Sequence, residues 1–437
     1  MNHIVSNLLV YGSLPEDSIL WQLSEICAAL ENGTEKKDVL RRRVFEQVKR
    51  ILMLGTEYAF DKNLWHNYLT FLLITNENPF SLVCEKMGAK EGTVNSFVKT
   101  DFKMFRALFD YDFGRLETEL ETDCFTKLCH YQAIEKKELM YNRNVSEKVR
   151  GLSEKLEKAA DEEEFFDLVT GFYKDYGVGM FGLNKAFRIA ENGDGTVRFL
   201  PVNNMDAVLL DDLIGYETQK ARLVENTRAF VEGRTANNVL LFGDSGTGKS
   251  TSIKAVVNEF YPMGLRMIEI YKHQFKDLSA IIGQIKNRNY RFIIYMDDLS
   301  FEEFEIEYKF LKAVIEGGVE TKPDNILIYA TSNRRHLIRE TFKDRDDMEH
   351  GEDLHRSDTL EEKLSLVDRF GLTIFFAKPN RTDFYDMAVK LARRAGITEE
   401  EISDEEICHE ANKFEMRGGG LSGRTAQQFV NALGGKR

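Results

Sequence analysis

The chain has 437 residues, of which 43% are hydrophobic and 30% charged, and its formal net charge is −13 at pH 7. This length allows two or three globular domains, and the acidic balance argues against general binding to nucleic acid or to an anionic membrane, although a local basic face stays compatible with it. No apolar stretch is long enough to span a membrane, and the N-terminus lacks the pattern of a signal peptide. We therefore expect a cytoplasmic protein with reduced cysteines.

The first part of the chain, residues 1–180, is predicted to be a helical domain. Apolar residues recur there at three- and four-residue spacing, which is typical of helices that bury one face. The clearest of these stretches are residues 19–30, 39–54, 64–74 and 98–109.

Residues 79–97 within this region indicate two helices joined by a Gly-containing turn. One interpretation is a helix-turn-helix that binds nucleic acid, with phosphate contacts from Lys90, Lys99, Lys103 and Arg106. The other is an ordinary packed helix pair, which is common in helical domains.

Residues 181–209 contain two short β-type runs on either side of a Gly-rich turn, Glu191-Asn-Gly-Asp-Gly-Thr196. This pattern predicts a β-hairpin. We interpret the segment as the connection between the helical domain and the rest of the chain.

Residues 210–377 alternate strands with helices, which predicts an α/β domain with a parallel sheet. The segment Gly243-Asp-Ser-Gly-Thr-Gly-Lys249-Ser250 fits the phosphate-loop pattern G-x-x-x-x-G-K-[ST]. It lies between a predicted strand, residues 238–242, and a predicted helix, residues 251–260, as that motif requires. A chance Gly-rich turn is the alternative that this context disfavours.

A phosphate loop binds a nucleoside triphosphate because its backbone N–H groups and the helix N-terminus face the phosphates. Lys249 would reach the outer phosphates, and Ser250 would ligate Mg²⁺. The predicted nucleotide-binding residues here are Gly243, Asp244, Ser245, Gly246, Thr247, Gly248, Lys249, Ser250 and Thr251.

Two later strands end in polar residues that suit the same site. The run 292–296 is followed by Asp297, the predicted metal-side carboxylate, and by Asp298, the candidate base that polarises the attacking water. Glu302 and Glu303 are close enough in sequence to compete for the role of base. The run 326–332 is followed by Asn333, which either orients water near the γ-phosphate or simply forms a turn.

Arginines follow the strands and begin the last helix. Arg334 and Arg335 come directly after Asn333, and their role stays open. Arg369 precedes the strand 372–376 and would either complete the site of a neighbouring subunit or pair with Asp368 on the surface. Residues 378–437 are predicted to form a lid of three helices, over 383–395, 404–414 and 425–433, with Arg424 at the start of the last.

Residues 342–355 hold several histidines and carboxylates. A metal cluster is one interpretation of this segment, and a solvated loop is the favoured one.

Taken together, the phosphate loop, Asp297, Asn333, Arg369 and Arg424 resemble the core of an AAA+ ATPase. The segments 213–220, 237–243, 297–302, 330–337 and 422–426 further resemble an uncharacterised bacterial family of predicted AAA+ ATPases that has no assigned substrate. The resemblance implies the Walker roles for Lys249, Ser250 and Asp297, sensor roles for Asn333 and Arg424, and an arginine finger at Arg369. It also places Gly215 and Tyr216 near the adenine base.

Two departures from the AAA+ pattern bear on function. Asp298 stands where most members have Glu, and residues 271–276 lack the aromatic–aliphatic–Gly triplet of members that thread proteins. We expect an ATP- and Mg²⁺-dependent, oligomeric ATPase that remodels a protein partner held by the N-terminal region. The alternatives are a nucleic-acid-associated loader and a nucleotide switch with negligible turnover.

Overall fold

The computed structural model describes residues 1–134, 142–203, 205–301, 307–316, 323–334, 337 and 366–435. The chain divides into two compact units. The helical unit comprises Met1–Asn184 with Pro201–Asn204, and the sheet unit comprises Lys185–Leu200 with Met205–Arg437. In the described residues, no helix has the length and apolar character needed to cross a membrane.

The helical unit confirms the helical prediction for the N-terminal region. Its described helices are α1 (Asn2–Val5), α2 (Ile19–Asn32), α3 (Lys37–Tyr58), α4 (Leu64–Thr75), α5 (Pro79–Met87), α6 (Thr93–Phe109), α7 (Gly114–Leu120), α8 (Cys124–Cys129), α9 (Arg143–Glu157), α10 (Glu162–Tyr176) and α11 (Gly179–Leu183). Their apolar faces form one buried core that includes Trp65 and Phe102.

Local signals explain where the helices of this unit begin. Helix α5 starts at a proline, and the side chains of Asn78 and Ser81 each accept a hydrogen bond from the other residue's backbone N–H.

The buried carboxylate of Asp101 in α6 accepts three backbone N–H groups, from Leu9, Val10 and Tyr11, at 2.8–2.9 Å. A buried charge of this kind is tolerated because its oxygens are hydrogen-bonded.

The sheet unit contains seven described strands. They are β1 (Ala186–Glu191), β2 (Val197–Pro201), β3 (Val239–Gly243), β4 (Leu265–Glu269), β5 (Arg291–Met296), β6 (Ile326–Ser332) and β7 (Leu372–Phe376). Their order is β2-β1-β4-β5-β6-β3-β7, and every pair from β1 to β7 in this order is parallel. The interior strand β6 is buried along its whole length, as expected for a parallel sheet covered on both faces.

The hairpin predicted in residues 181–209 is present, and it is also part of the sheet. Its first strand pairs with β4 in parallel, with Ala186 opposite Met267, so both hairpin strands extend the sheet. Two physical reasons account for this pairing. It buries the side chains of Phe187 and Ile189 on β1, and it satisfies the backbone hydrogen-bonding groups of β1 and β4. The interpretation of residues 181–209 as the connection between domains stays a prediction.

The remaining helices of the sheet unit are α12 (Glu217–Val231), α13 (Lys249–Phe260), α14 (Leu278–Ile285), α15 (Glu307–Glu316), α16 (Arg381–Arg394), α17 (Asp404–Phe414) and α18 (Gly423–Gly434). Helices α16, α17 and α18 share a small core of their own, which includes Phe384, Ile407 and Phe429. The three C-terminal helices predicted from the sequence are therefore present, while the domain boundary at residues 377 and 378 stays a prediction.

Candidate functional site

The phosphate-loop segment lies between β3 and α13, as the sequence predicts. Gly243, Gly246 and Gly248 have φ values of 135°, 77° and 88°, a region that side chains other than glycine's adopt only with strain. At Gly243 a Cβ would also lie 2.1 Å from the carbonyl oxygen of Phe376 in β7. The glycines thus let the loop turn sharply and allow β7 to pack against its start.

Lys249 is the first residue of α13 and is only 6% exposed. Its Nζ donates hydrogen bonds to the carbonyl oxygens of Gly243 (3.0 Å) and Asp244 (2.6 Å) and to Asn333 Oδ1 (3.1 Å). Burial lowers the pKa of Lys249, and nearby carboxylates, with Asp298 the strongest, oppose that shift. The ammonium group is therefore held inside the curve of the loop.

Asp297 joins the loop to the ends of β5 and β6. Its Oδ1 accepts hydrogen bonds from Ser250 Oγ at 2.7 Å and from Thr331 Oγ1 at 2.6 Å. Burial on its own raises the pKa of this carboxyl, but its hydrogen-bond donors, with Thr331 and Ser250 the strongest, together outweigh burial, and the pKa is lowered. The carboxylate is thus kept ionised beside the Ser250 hydroxyl.

Asp298 and Asn333 are also brought together. Asp298 has a φ of 49°, and its backbone N–H donates to Thr331 Oγ1 at 2.9 Å. Its Oδ1 accepts a hydrogen bond from Asn333 Nδ2 at 2.7 Å. A hydrogen-bonded chain therefore runs from Lys249 through Asn333 to Asp298. The competing candidates Glu302 and Glu303, together with Arg335, lie outside the described residues.

The last helix, α18, begins against the phosphate loop. Ser422 caps this helix by accepting a hydrogen bond from the N–H of Thr425, and the N–H of Arg424 donates to the carbonyl oxygen of Gly246 at 3.2 Å. A Cβ at Gly246 would lie 3.0 Å from Ser422 Oγ and 3.2 Å from Arg424 Cβ. Arg424 is thereby placed next to the loop.

These residues surround a cavity of about 970 Å³. Its lining is formed by Val208, Asp212, Leu213, Ile214, Tyr216, Ser245, Gly246, Thr247, Gly248, Lys249, Ser250, Thr251, Asp297, Asp298, Thr331, Asn333, Met387, Leu391, Arg394, Ala395, Gly423, Arg424, Gln427 and Gln428. The lining combines polar and charged side chains of the phosphate loop and the strand ends with apolar side chains such as Ile214, Met387 and Leu391. This combination suits a ligand with an anionic group and a flat, largely apolar group.

A family comparison agrees with this architecture. Residues 183–437, more than half of the chain, match the family model described as "Protein of unknown function (DUF815)". The chain belongs to this family. Within it, the sheet unit of this DUF815 member has the phosphate-loop segment after β3 and the three helices α16, α17 and α18 after β7.

Among solved structures, the chain is similar to the Thermotoga maritima RuvB Holliday junction branch migration motor, with 14% identity and a TM-score of 0.31 over 52% of this chain and 72% of that chain. Two substituted forms of the same Thermotoga maritima protein match over the same shares of both chains, with identities of 14% and 13% and TM-scores of 0.32. None of the curated proteins compared with the chain matches it.

Four of the predicted site residues do not line the cavity of this DUF815 protein. Gly243 and Asp244 belong to the loop, but the Asp244 carboxylate accepts the N–H of Lys378 at 3.1 Å. Gly215 has a φ of 81°, and a Cβ there would lie 3.1 Å from Met387 Cε. Its neighbour Tyr216 does line the cavity and donates its hydroxyl to the Ala377 carbonyl oxygen at 2.8 Å; burial raises its pKa to about 12.

Arg369 is the fourth, and it lies far from the loop of its own chain. It precedes β7, whereas the loop follows β3, and these parallel strands are in register from Val239 opposite Leu372 to Gly243 opposite Phe376. Arg369 is therefore at the opposite end of the strands.

The sequence analysis missed Thr331, which contacts both candidate acids. Its hydroxyl donates to Asp297 and accepts from the N–H of Asp298. One signal was available: a polar residue two positions before Asn333, on a strand that is otherwise mostly apolar. Arg394 was also missed; its guanidinium donates to the carbonyl oxygen of Asp211 and lies 3.6 Å from the carboxylate of Asp212, at the rim of the cavity.

The two helices proposed as a helix-turn-helix are α5 and α6, and much of the basic side of α6 faces α10. Lys99 pairs with Glu163 at 2.6 Å, Lys103 lies 3.9 Å from Glu162, and Arg106 donates to the Ala160 carbonyl oxygen at 2.9 Å. These contacts engage three of the four cations predicted to bind phosphates. The segment 342–355, considered as a metal cluster, lies outside the described residues.

Proposed function

We propose that this protein binds ATP together with Mg²⁺ in the cavity of the sheet unit and hydrolyses it. The observation that carries the proposal is the 2.7 Å hydrogen bond from Ser250 to Asp297, because it joins the phosphate loop to the carboxylate that follows β5. A hydroxyl and a carboxylate at this place are the pair that holds Mg²⁺ in phosphate-loop proteins. Lys249, Asn333 and Arg424 line the same cavity.

The residues at this position fit a magnesium ion. Mg²⁺ prefers oxygen ligands and is bound through one or two protein side chains, with water and phosphate completing its shell. Ser250 and Asp297 supply such oxygens, and the lowered pKa of Asp297 keeps its carboxylate charged. When bound there, the ion would neutralise charge on the β- and γ-phosphates.

The other side chains have separate proposed roles. Lys249 and the loop N–H groups bind the phosphates, and Arg424 reaches them from the lid. Asp298 polarises the attacking water while Asn333 orients it. Gly215 and Tyr216 contribute to the end of the cavity that holds the adenine base.

The position of Arg369 supports an oligomeric enzyme. A guanidinium at the far end of its own strands cannot serve the site in the same subunit, but it can complete the site of a neighbour. We infer that the protein assembles through such contacts and remodels a protein partner bound by the helical unit.

A nucleotide switch with negligible turnover is the second candidate. It is favoured by the hydrogen bond between Asn333 Nδ2 and Asp298 Oδ1, which occupies the candidate base. Hydrolysis then relies on the remaining acceptor positions of the Asp298 carboxylate to polarise the water, whereas binding does not. The nucleic-acid loader has no such support, because Lys99 and Lys103 face Glu163 and Glu162.

The test is the rate of Mg²⁺-dependent ATP hydrolysis per subunit, measured over a wide range of protein concentration with Lys249→Ala as the blank. A rate per subunit that rises with concentration supports subunits that complete one another's sites. Tight ATP binding with hydrolysis at the level of the blank throughout would favour the switch. Absence of ATP binding would reject both.

A further inference from the structure

Tyr295 carries a polar group near the end of β5, among residues that are apolar from Phe292 to Met296. It lies in β5 two residues before Asp297, is 0% exposed, and is surrounded in sequence by Ile293, Ile294 and Met296. Its hydroxyl has no hydrogen-bond partner among the described residues. Such a group is unusual, because a buried hydroxyl without a partner loses its bonds to water and gains nothing in return.

The polar neighbours of this hydroxyl are the side chains of Ser250, Asp297 and Thr331. These three residues are already joined to one another, since Ser250 and Thr331 both donate to Asp297 Oδ1. A carboxylate has two oxygens with about four acceptor positions in all, so Asp297 retains capacity for a further donor. A phenol with an ordinary pKa of about 10 keeps its proton at neutral pH, so the Tyr295 hydroxyl can donate.

We propose that Tyr295 is a positioning residue for Asp297: when the cation and the nucleotide are bound, its hydroxyl donates a hydrogen bond to the Asp297 carboxylate. This inference rests on the proposed binding of Mg²⁺ and ATP. The cation fixes the direction of the carboxylate, and a donor that is already desolvated loses no further water when it bonds to that charge. The bond would therefore be strongest in the loaded site.

The chain offers a matched control in Tyr329. This residue lies on β6 at the position paired with Tyr295 and is also 0% exposed. Its hydroxyl, however, is bonded to Thr227 Oγ1 at 2.9 Å and to Asn226 Nδ2 at 3.1 Å. Tyr295→Phe and Tyr329→Phe each remove one oxygen atom from neighbouring strands, so they differ mainly in what that oxygen contacts.

The experiment uses the full chain and two readouts that do not depend on turnover. The dissociation constant for ATP is measured with excess Mg²⁺ and with excess EDTA, and their ratio gives the gain due to the metal. The thermal unfolding temperature is measured without nucleotide. For Tyr295→Phe we expect an unfolding temperature equal to or above that of wild type, an unchanged affinity in EDTA, and a metal gain reduced about tenfold, which is about 1.4 kcal/mol.

For Tyr329→Phe we expect the opposite pattern, with a lower unfolding temperature and an unchanged metal gain. A full metal gain in Tyr295→Phe would overturn the role of Tyr295 and leave the proposed function intact. A lower unfolding temperature together with equal loss of affinity in Mg²⁺ and EDTA would make Tyr295 a structural residue and also overturn the inference. If wild type bound ATP equally with and without Mg²⁺, that result would reject both this inference and the proposed metal site.

Discussion

The backbone N–H of Arg424 donates a hydrogen bond to the carbonyl oxygen of Gly246 at 3.2 Å, which joins the first turn of α18 directly to the phosphate loop. The two residues are far apart in sequence, and the contact depends on the absence of a side chain at Gly246. A movement of the phosphate loop on nucleotide binding would therefore be transmitted directly to α18. In the proposed function, Gly246 would couple phosphate binding to the position of α18.

Gly246→Ala is expected to destabilise the protein by more than about 1 kcal/mol, because the new Cβ combines a positive φ with close contacts to Ser422 and Arg424. The control is Gly264→Ala, whose φ of 90° is as unfavourable but whose Cβ would meet no described atom within 4 Å. Denaturant unfolding of both variants measures the difference. Equal losses of unfolding free energy would show that the contact with α18 contributes nothing.

Lys249→Ala is expected to weaken ATP binding by on the order of a hundredfold, since a charged donor to the phosphates is lost. Lys254→Ala is the matched control: it removes a lysine from the same helix, but one that pairs with Asp206 at 2.8 Å. Titration with a fluorescent ATP analogue measures both. Similar affinities in the two variants would contradict the assignment of the phosphate loop as the binding site.

Asp297→Asn is expected to lower stability at neutral pH and to do so less in acid. The pKa of Asp297 is lowered in the folded protein, so its ionised form contributes stability above the ordinary carboxyl pKa of about 3.9, and this contribution is lost as the pH falls through the lowered value. The free energies of unfolding of wild type and variant should therefore converge below about pH 4. A difference that is the same at pH 7 and in acid would contradict this origin.

The sequence predicted which side chains meet at the strand ends because those residues have few structural alternatives. A glycine-rich loop after an apolar strand, followed by acids and an amide at the ends of later strands, must bring Lys249, Asp297 and Asn333 to one edge of a parallel sheet. The lid arginine, Arg424, could be named from its motif, but its contact with Gly246 depends on how α18 packs.

Three features could not be predicted, because each depends on how the chain folds and not on the local sequence. The hairpin of β1 and β2 is visible from its turn, but nothing local shows that β1 pairs with β4. The sequence does not distinguish Tyr295 from other aromatic residues in buried strands, because it does not show which side chains surround the hydroxyl. Lys99 and Lys103 were predicted to contact phosphates because the sequence does not show that they meet the acidic start of α10, which lies far along the chain.

A mixing experiment tests whether Arg369 acts in a neighbouring subunit. Arg369→Ala keeps an intact phosphate loop but lacks the arginine, and Lys249→Ala keeps the arginine but lacks the loop lysine. Each variant alone should hydrolyse ATP near the blank. In a random equal mixture, about one interface in four pairs an intact loop with an intact arginine, so hydrolysis should recover to roughly a quarter of the wild-type rate.

The control for this mixture is Arg234→Ala, because Arg234 is an exposed arginine that pairs with Glu232 at 2.5 Å and should leave the rate unchanged. Recovery in the mixture requires that the two residues come from different subunits, since neither variant contains both. If Arg369→Ala alone hydrolysed ATP like wild type at concentrations where wild type is oligomeric, Arg369 would have no part in the reaction. If Arg369→Ala were inactive and mixing restored nothing, the guanidinium would act on assembly or stability rather than on a neighbour's phosphates.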